Sequence, residues 1–484
     1  MSIARNTLYY SSALVYQKVL GFIYFALIAR GLGVEVTGQY VFALSFTTIF
    51  AVLADIGFAP VLTREIAKDK TKTQKLFAQV FSVKLFISVL TYGLVVLFVN
   101  LLGYPGITKT LVYIAGGVML LDSFSLIFWA VFRGRQNLKF EARGVIGHQT
   151  ITVILGLAAL YLGLGVKALL AATLVASLFY ALYSLSLLVR KLQLKLKLVY
   201  DKQTVYWFLK TALPFALAGV FARIYTQIDT IMLSKMGCTA QAICDAHVGW
   251  YGVASKVTLA LQFIPLALAA SLFPAFSEQF AAAKERLKET YEKAWRYLAL
   301  LVVPLVAGVV VLAPEIISNI WGPDFLPAAQ PMQILMVSLI FIFLTFPNGA
   351  LLNAAGKQLT NTSYMGIAVM VNVMLNIYMI LNYQMTGAAI ASIASTFVLF
   401  WLGFIKSKKL IGFNFIDLLS RFLKILTAGA IMTLALLYLK TYLNLLTLII
   451  IGALVYLSAI WFIGELRKED ITDIRLIFSK KNNI

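Results

Sequence analysis

The chain has 484 residues, of which 61% are hydrophobic and only 13% charged, with a mean hydropathy of +0.88 and a net charge of +21. That composition lies far outside the range of soluble domains. The basic residues fall in short loops between apolar stretches, which argues against a nucleic-acid-binding surface.

Stretches apolar and long enough to cross a bilayer are expected near 7–29, 36–60, 76–102, 110–132, 144–163, 166–189, 211–234, 249–275, 296–314, 330–352, 360–382, 385–405, 422–441 and 443–464. They number about fourteen, each taking the roughly 20 residues that a helical span requires. The first is too long for a removable signal peptide and lacks a small-residue cleavage site, so it is expected to remain as the first membrane helix. No interval between spans could fold as a soluble domain. The fold class is therefore an all-α polytopic membrane protein.

Lysine and arginine resist translocation, and their distribution orients the chain. The loops on the amino-terminal side receive 32 cations and the opposite loops only Arg30, Lys109, Lys167, Lys235 and Lys440. Both termini are thus expected on the cytoplasmic side of the plasma membrane, and most of the net charge is a topology signal.

The spans occur in two copies. Gly134 and Gln136 in FRGRQNLK match Gly356 and Gln358 in AAGKQLTN, and 31 residues beyond the glycine each copy restarts, at Gly165 and at Gly387. Gly38-Gln-Tyr40 matches Gly249-Trp-Tyr251, and Pro60 matches Pro274. The duplication predicts an amino-terminal six-helix bundle (1–200), a second six-helix bundle (201–410), and two additional helices with a tail (411–484). Six is an even number, so both copies enter the membrane in the same orientation. Such parallel repeats are related by an axis along the membrane normal and suit a cavity that opens to each side in turn. Between them, Arg190–Tyr200 alternates basic and apolar residues, a pattern shared by interfacial segments on anionic headgroups and by solvated linkers.

Seven charges fall inside predicted spans: Lys18, Lys84, Arg223 and Lys256, with Asp55, Asp122 and Asp229. A charge in hydrocarbon costs several kcal/mol, so each should face a wet cavity or an opposite charge. Helical spacing places Ser45, Thr48 and Asp55 on one face, Lys84, Ser88 and Thr91 on another, and Asp122, Ser125 and Trp129 on a third. Arg223 shares a face with Thr226 and Gln227, whereas Asp229 points away from it. Lys18 and Arg223 lie near mid-helix and occupy almost equivalent positions in the two copies, which makes them the leading candidates for an anion-binding pair. Lys84, Asp55 and Lys256 lie nearer helix ends and could snorkel to the interface. Asp122 lies deeper and could neutralise a cavity lysine or carry a coupling proton; Asp229 reads as a pairing residue.

Weaker signals complete the inventory. Cys238 and Cys244 share a predicted outer loop and could form a disulfide in an oxidising compartment. Asp245 and His247 lack zinc-type spacing, so no metal site is expected. Pro265 and Pro347 should kink helices. Asn348, Asn353, Asn372 and Asn376 could serve as interhelical hydrogen bonds or sugar contacts. Ser277–Arg296 reads as a helix extended into the cytoplasm.

With these residues in view, Asn6-Thr-Leu, Ile28-Ala-Arg-Gly-Leu-Gly33 and Gly38-Gln-Tyr40 resemble the start of the polysaccharide-transport flippases. That family belongs to the multidrug/oligosaccharidyl-lipid/polysaccharide exporter superfamily, whose fold is MATE-like. Leu213-Pro-Phe215, Ile228-Asp229, Gly249-Trp-Tyr251 and Leu272-Phe-Pro274 continue the resemblance into the second copy. It implies movement of a polyprenyl-pyrophosphate-linked oligosaccharide between leaflets for surface polysaccharide assembly, with Lys18, Lys84, Arg223 and Lys256 as contacts for pyrophosphate or acidic sugars. It also implies that the two extra helices shape a groove for the lipid tail. Expected partners are that substrate, membrane lipids and polysaccharide assembly proteins, around a monomer. No cofactor is expected, though Asp55, Asp122 or Asp229 could couple transport to Na⁺ or H⁺.

Two other readings compete. A drug or metabolite antiporter of the same superfamily would bind organic cations at cavity acids, but cations exceed acids in these helices by four to three. A polysaccharide polymerase or ligase would need a sizeable outer loop with catalytic groups, and the outer loops here are short.

Overall fold

The computed structural model describes residues 3–199 and 201–465. Among them the regular structure is entirely helical. The order is α1 (Ile3–Leu32), α2 (Val34–Asp55), α3 (Phe58–Lys68), α4 (Thr73–Leu101), α5 (Gly106–Gly134), α6 (Lys139–Tyr161) and α7 (Gly165–Leu192). There follow α8 (Lys202–Leu233), α9 (Gln241–Leu261), α10 (Phe263–Ala282), α11 (Lys284–Ile320), α12 (Ala329–Ala354), α13 (Gln358–Ile411), α14 (Phe415–Leu439) and α15 (Leu445–Phe462).

The two copies share a rhythm: one long helix, a span broken into two helices, two long helices, then a pair. The first break falls after Asp55, where Ile56 and Gly57 both adopt left-handed backbone at φ 47° and 74°. The second falls at Gln262, and Pro265 stands in the first turn of α10, where its missing N–H costs no hydrogen bond. Pro265 therefore kinks no helix interior, whereas Pro347 does sit inside α12. The charged stretch from Ser277 is likewise not one extension: α10 stops at Ala282 and α11 starts at Lys284.

The count of fourteen separate spans is not reproduced. Among the described residues eleven helical stretches are long and apolar enough to cross a membrane, or twelve if Lys202–Leu213 and Phe215–Leu233, bent by 46°, form one span. One reason is α13, whose 54 residues run without an assigned interruption. At about 1.5 Å per residue it is more than twice as long as a bilayer core is thick, so it must double back. It does so at Gln384, whose φ 46° and ψ −126° are not helical. The turn is tight, because a Cβ on Gly387 would lie 2.0 Å from the Met379 carbonyl oxygen. The other reason is the break at Gln262, which divides the span expected over 249–275.

Packing divides the helices into two compact units. One runs through Lys256 and takes in Val369–Ala391; the other holds Val257–Ala368 and continues from Ser392. Lipid is as apolar as leucine, so helices in a bilayer must be held together by close packing and polar contacts. In the first unit Phe77, Phe128, Trp129 and Phe132 pack with Phe58, Val61, Leu62 and Ile66. Small residues allow that approach: a Cβ on Gly134 would lie 2.8 Å from the Ile66 Cβ, and one on Gly144 would lie 2.8 Å from the Trp129 ring. In the second unit a buried polar knot joins three helices. Tyr291 donates its hydroxyl to Asn348 Oδ1 at 2.6 Å, Ser407 donates to the same oxygen at 3.2 Å, and Tyr291 stacks on Phe413.

Candidate functional site

The intramembrane charges sort into two classes, paired and open. Lys84 on α4 is fully buried and bonds Asp55, the last residue of α2, at 3.3 Å. It also donates to the Ser123 hydroxyl of α5 and lies 6.0 Å from the Phe124 ring centroid. Lys84 thus does not snorkel to an interface. The polar face predicted for α4 is real but faces protein, since Ser88 and Thr91 are buried as well. Asp55 serves as the counter-charge, because desolvating a lone ammonium there would cost several kcal/mol.

Asp229 on α8 is also engaged. Its carboxylate accepts from the Tyr251 hydroxyl at 2.5 Å and from Asn376 Nδ2 at 2.7 Å, and Asn376 donates in turn to Asn372 Oδ1 at 3.0 Å. Asn376 thus makes an interhelical hydrogen bond, and Asn372 supports it from within α13. Asp229 stands apart from Arg223, as the spacing required.

Asp122 on α5 lies near the Ser177 hydroxyl of α7. His148 Nε2 of α6 reaches that same hydroxyl at 3.2 Å. Asp122 Oδ1 is buried with no hydrogen-bond partner. The cluster joins three helices of one unit. Nothing in the spacing of His148 and Ser177 marked them beforehand, because they meet Asp122 only through helix packing.

The remaining cations are open. Lys18 on α1, Arg223 on α8 and Lys256 on α9 are all exposed, and among the described residues none has a carboxylate within ion-pair distance. Lys256 lies 5.0 Å from the Phe25 ring centroid, and its ammonium is close enough to Lys18 to feel that charge. The neighbour that the structure gives Lys18 is thus Lys256, a pairing that the repeat did not suggest. Thr226, one turn beyond Arg223, is exposed and Gln227 beside it is half-buried. Cations on apolar helices without a counter-ion are costly, and a ligand bearing clustered negative charge would offset that cost.

Two further groups complete the polar inventory. Arg133 forms an ion pair with the buried Glu141 and approaches Tyr10 of α1. Cys238 and Cys244 are joined as a disulfide with Cα atoms 5.6 Å apart. The neighbouring Asp245 accepts from Gln39 at 3.0 Å and from Gln241 at 2.9 Å.

The sequence matches the family model described as polysaccharide biosynthesis protein over residues 3–280. The chain belongs to that family. A MatE model also matches residues 214–378 of this family member. Among curated relatives, the probable low-salt glycan biosynthesis flippase Agl15 of Haloferax volcanii is 24% identical over 82% of this chain and 81% of its own. The fold is that of a solved lipid II flippase, MurJ in an inward closed conformation. That likeness has a TM-score of 0.76 at 19% identity and covers 95% of this chain and 99% of the other. An inward-facing MATE multidrug transporter of the MOP superfamily follows at TM-score 0.67 and 16% identity, over 81% of this chain and 95% of that one. The protein is therefore a multi-pass membrane protein of MATE-like fold.

Proposed function

We propose that this chain is a flippase that moves a polyprenyl-pyrophosphate-linked oligosaccharide from the cytoplasmic to the outer leaflet of the plasma membrane. Surface polysaccharide assembly would use the product. The observation that carries this reading is that Lys18, Lys256 and Arg223 stand on apolar helices with no carboxylate within ion-pair distance among the described residues. An intramembrane charge without a partner is costly, and a pyrophosphate supplies the missing negative charge. The relative named as a probable glycan biosynthesis flippase supports it. Arg223 with Thr226 and Gln227 adds donors suited to a sugar or phosphate. Lys84 is held in reserve by Asp55 and would join the site only if that ion pair opened.

On this reading the two six-helix copies alternate access to a cationic cavity, and the two carboxy-terminal helices serve the lipid tail. The protein breaks no bond of its substrate and acts as a monomer alongside polysaccharide assembly proteins, with both termini cytoplasmic. A second reading, a cation-coupled drug or metabolite antiporter, is favoured by one observation: Asp122 has a buried carboxyl oxygen without a partner, at which a coupling proton would be stabilised.

The deciding experiment follows leaflet exchange of a fluorescent pyrophosphate-linked oligosaccharide in reconstituted vesicles. Exchange by wild type that collapses in Lys18→Ala, Lys256→Ala and Arg223→Ala supports the flippase. No exchange, together with ion-driven uptake of an organic cation that fails in Asp122→Asn, selects the antiporter.

A further inference from the structure

The stretch after α7 carries Lys195 and Lys197 outside the apolar helices. Helix α7 ends at Leu192, Gln193 turns the chain with left-handed backbone, and the segment 193–199 runs without helix. This strap is nonetheless held in register. The Gln74 side chain of α4 grips Lys195 from both sides: Nε2 donates to the Lys195 carbonyl at 2.8 Å and Oε1 accepts from the Lys195 N–H at 2.8 Å. Two turns along the same helix, Ser82 Oγ accepts from the Val199 N–H at 2.9 Å. Leu194 is buried in the first unit's core.

What the strap leaves outward is a mixture that water alone does not favour. Lys195 and Lys197 are exposed, and so are Arg190 and Lys191 in the last turn of α7 and Lys75 on α4. Among the described residues none of these five forms an ion pair. Between the lysines, Leu196 is 47% and Leu198 72% exposed. Just beyond, at the start of α8, Tyr206 and Trp207 are exposed too, as aromatic side chains at a membrane–water boundary commonly are. The nearby Asp201 caps α8 through Thr204 and the Gln203 N–H; it feels the charge of Lys75 but forms no ion pair with it, and one carboxylate cannot balance five cations.

We propose that this strap is a docking surface for the phosphate headgroups of anionic phospholipid. A backbone fixed by Gln74 and Ser82 sets lysine and leucine alternately, so that ammonium groups meet phosphates while the leucines enter the edge of the acyl region. Charge complementarity selects the occupant, and the exposed leucines and aromatics select a lipid over a free anion. Occupancy would pin the start of α8, and with it the joint between the two copies, to one leaflet. The inference requires only that the chain sits in a membrane and is independent of what it transports.

The test measures binding of fluorescent short-chain phosphatidylglycerol to the purified full-length protein in neutral detergent. Phosphatidylcholine serves as the comparison and inorganic phosphate as a competitor. Lys195→Gln/Lys197→Gln should weaken phosphatidylglycerol binding by roughly thirtyfold, from about fivefold per surface cation. Leu196→Ser/Leu198→Ser should weaken it too, with every charge retained. Both pairs are exposed, and unchanged melting would show that the fold persists. Equal binding of the two lipids, or wild-type affinity in the lysine variant, overturns the proposal. So does displacement of the lipid by inorganic phosphate alone, which would mark a free-anion site.

Discussion

Gly38 of α2 and Gly249 of α9, which match one another in the sequence repeat, are packed backbone against backbone. A Cβ on Gly38 would lie 1.7 Å from the Asp245 carbonyl oxygen and 3.0 Å from the Gly249 nitrogen. A Cβ on Gly249 would lie 2.3 Å from the Val34 carbonyl oxygen and 3.3 Å from the Gly38 nitrogen. Gln39 adds its hydrogen bond to Asp245 at the same crossing.

Backbone atoms cannot rotate aside as a side chain can, so Gly38→Ala or Gly249→Ala should destabilise by at least the ~1–3 kcal/mol typical of overpacking. Gly93→Ala on α4 is the contrast, since nothing lies within 4 Å of a Cβ there. It should be neutral or stabilise by up to about 1 kcal/mol through helix propensity. Thermal unfolding of the detergent-purified proteins checks both; equal losses at all three glycines would contradict the close crossing.

Removing one member of the Lys84–Asp55 pair strands the other in a dry interior. Lys84→Met and Asp55→Leu should each cost about 3–5 kcal/mol, and the double variant should recover much of that loss. A double-mutant cycle on melting measures the coupling. Additive losses would mean that the pair does not hold the two helices.

The open cations should behave in the opposite way. Lys18→Ala and Lys256→Ala are not expected to destabilise the ligand-free protein, because each removes an intramembrane charge without a partner. Each should lower affinity for a pyrophosphate-bearing lipid by roughly tenfold to a hundredfold, the loss of one charge-assisted contact. Isothermal binding beside a melting curve separates the two effects, and Lys18→Arg should retain most of the binding.

One acid-sensitive point lies outside the spans. Asp69 accepts from the Thr71 hydroxyl and N–H and faces Lys72, and these contacts hold its carboxyl down to about 2, the Thr71 hydroxyl first among them. A depressed carboxyl stabilises the folded turn above its unfolded pKa of about 4 and loses that contribution as pH falls toward 2. Amide exchange over the turn between α3 and α4 should therefore speed up, beyond its intrinsic pH dependence, across that window in wild type. In Asp69→Asn it should be fast throughout and show no such step.

The repeat was legible because the same local demands recur at matched places, although the structure meets them differently. Gly134 permits contact with α3, whereas its match Gly356 turns the chain at φ 70°; Gly165 turns the chain at φ 74°, whereas its match Gly387 permits a tight reversal. The glycine was readable and its reason was not. The seven intramembrane charges were readable for the same cause, since an ionisable side chain in an apolar run is conspicuous wherever it lies. Their partners were not: Asp122 needed Ser177 from α7, and Asp229 needed Asn376 from α13.

By itself, then, the sequence determined that this is a helical membrane protein and which residues carry its interior charge. Span length, hydropathy and cation bias are properties of the chain read one segment at a time. Only the tertiary structure decided that Lys84 is neutralised by Asp55 while Lys256 lies against the Phe25 ring. Helical periodicity assigns a side chain to a face, but the partner of that face depends on how each helix is rotated and packed. Those choices follow from interhelical fit at glycines and aromatics far away in the chain.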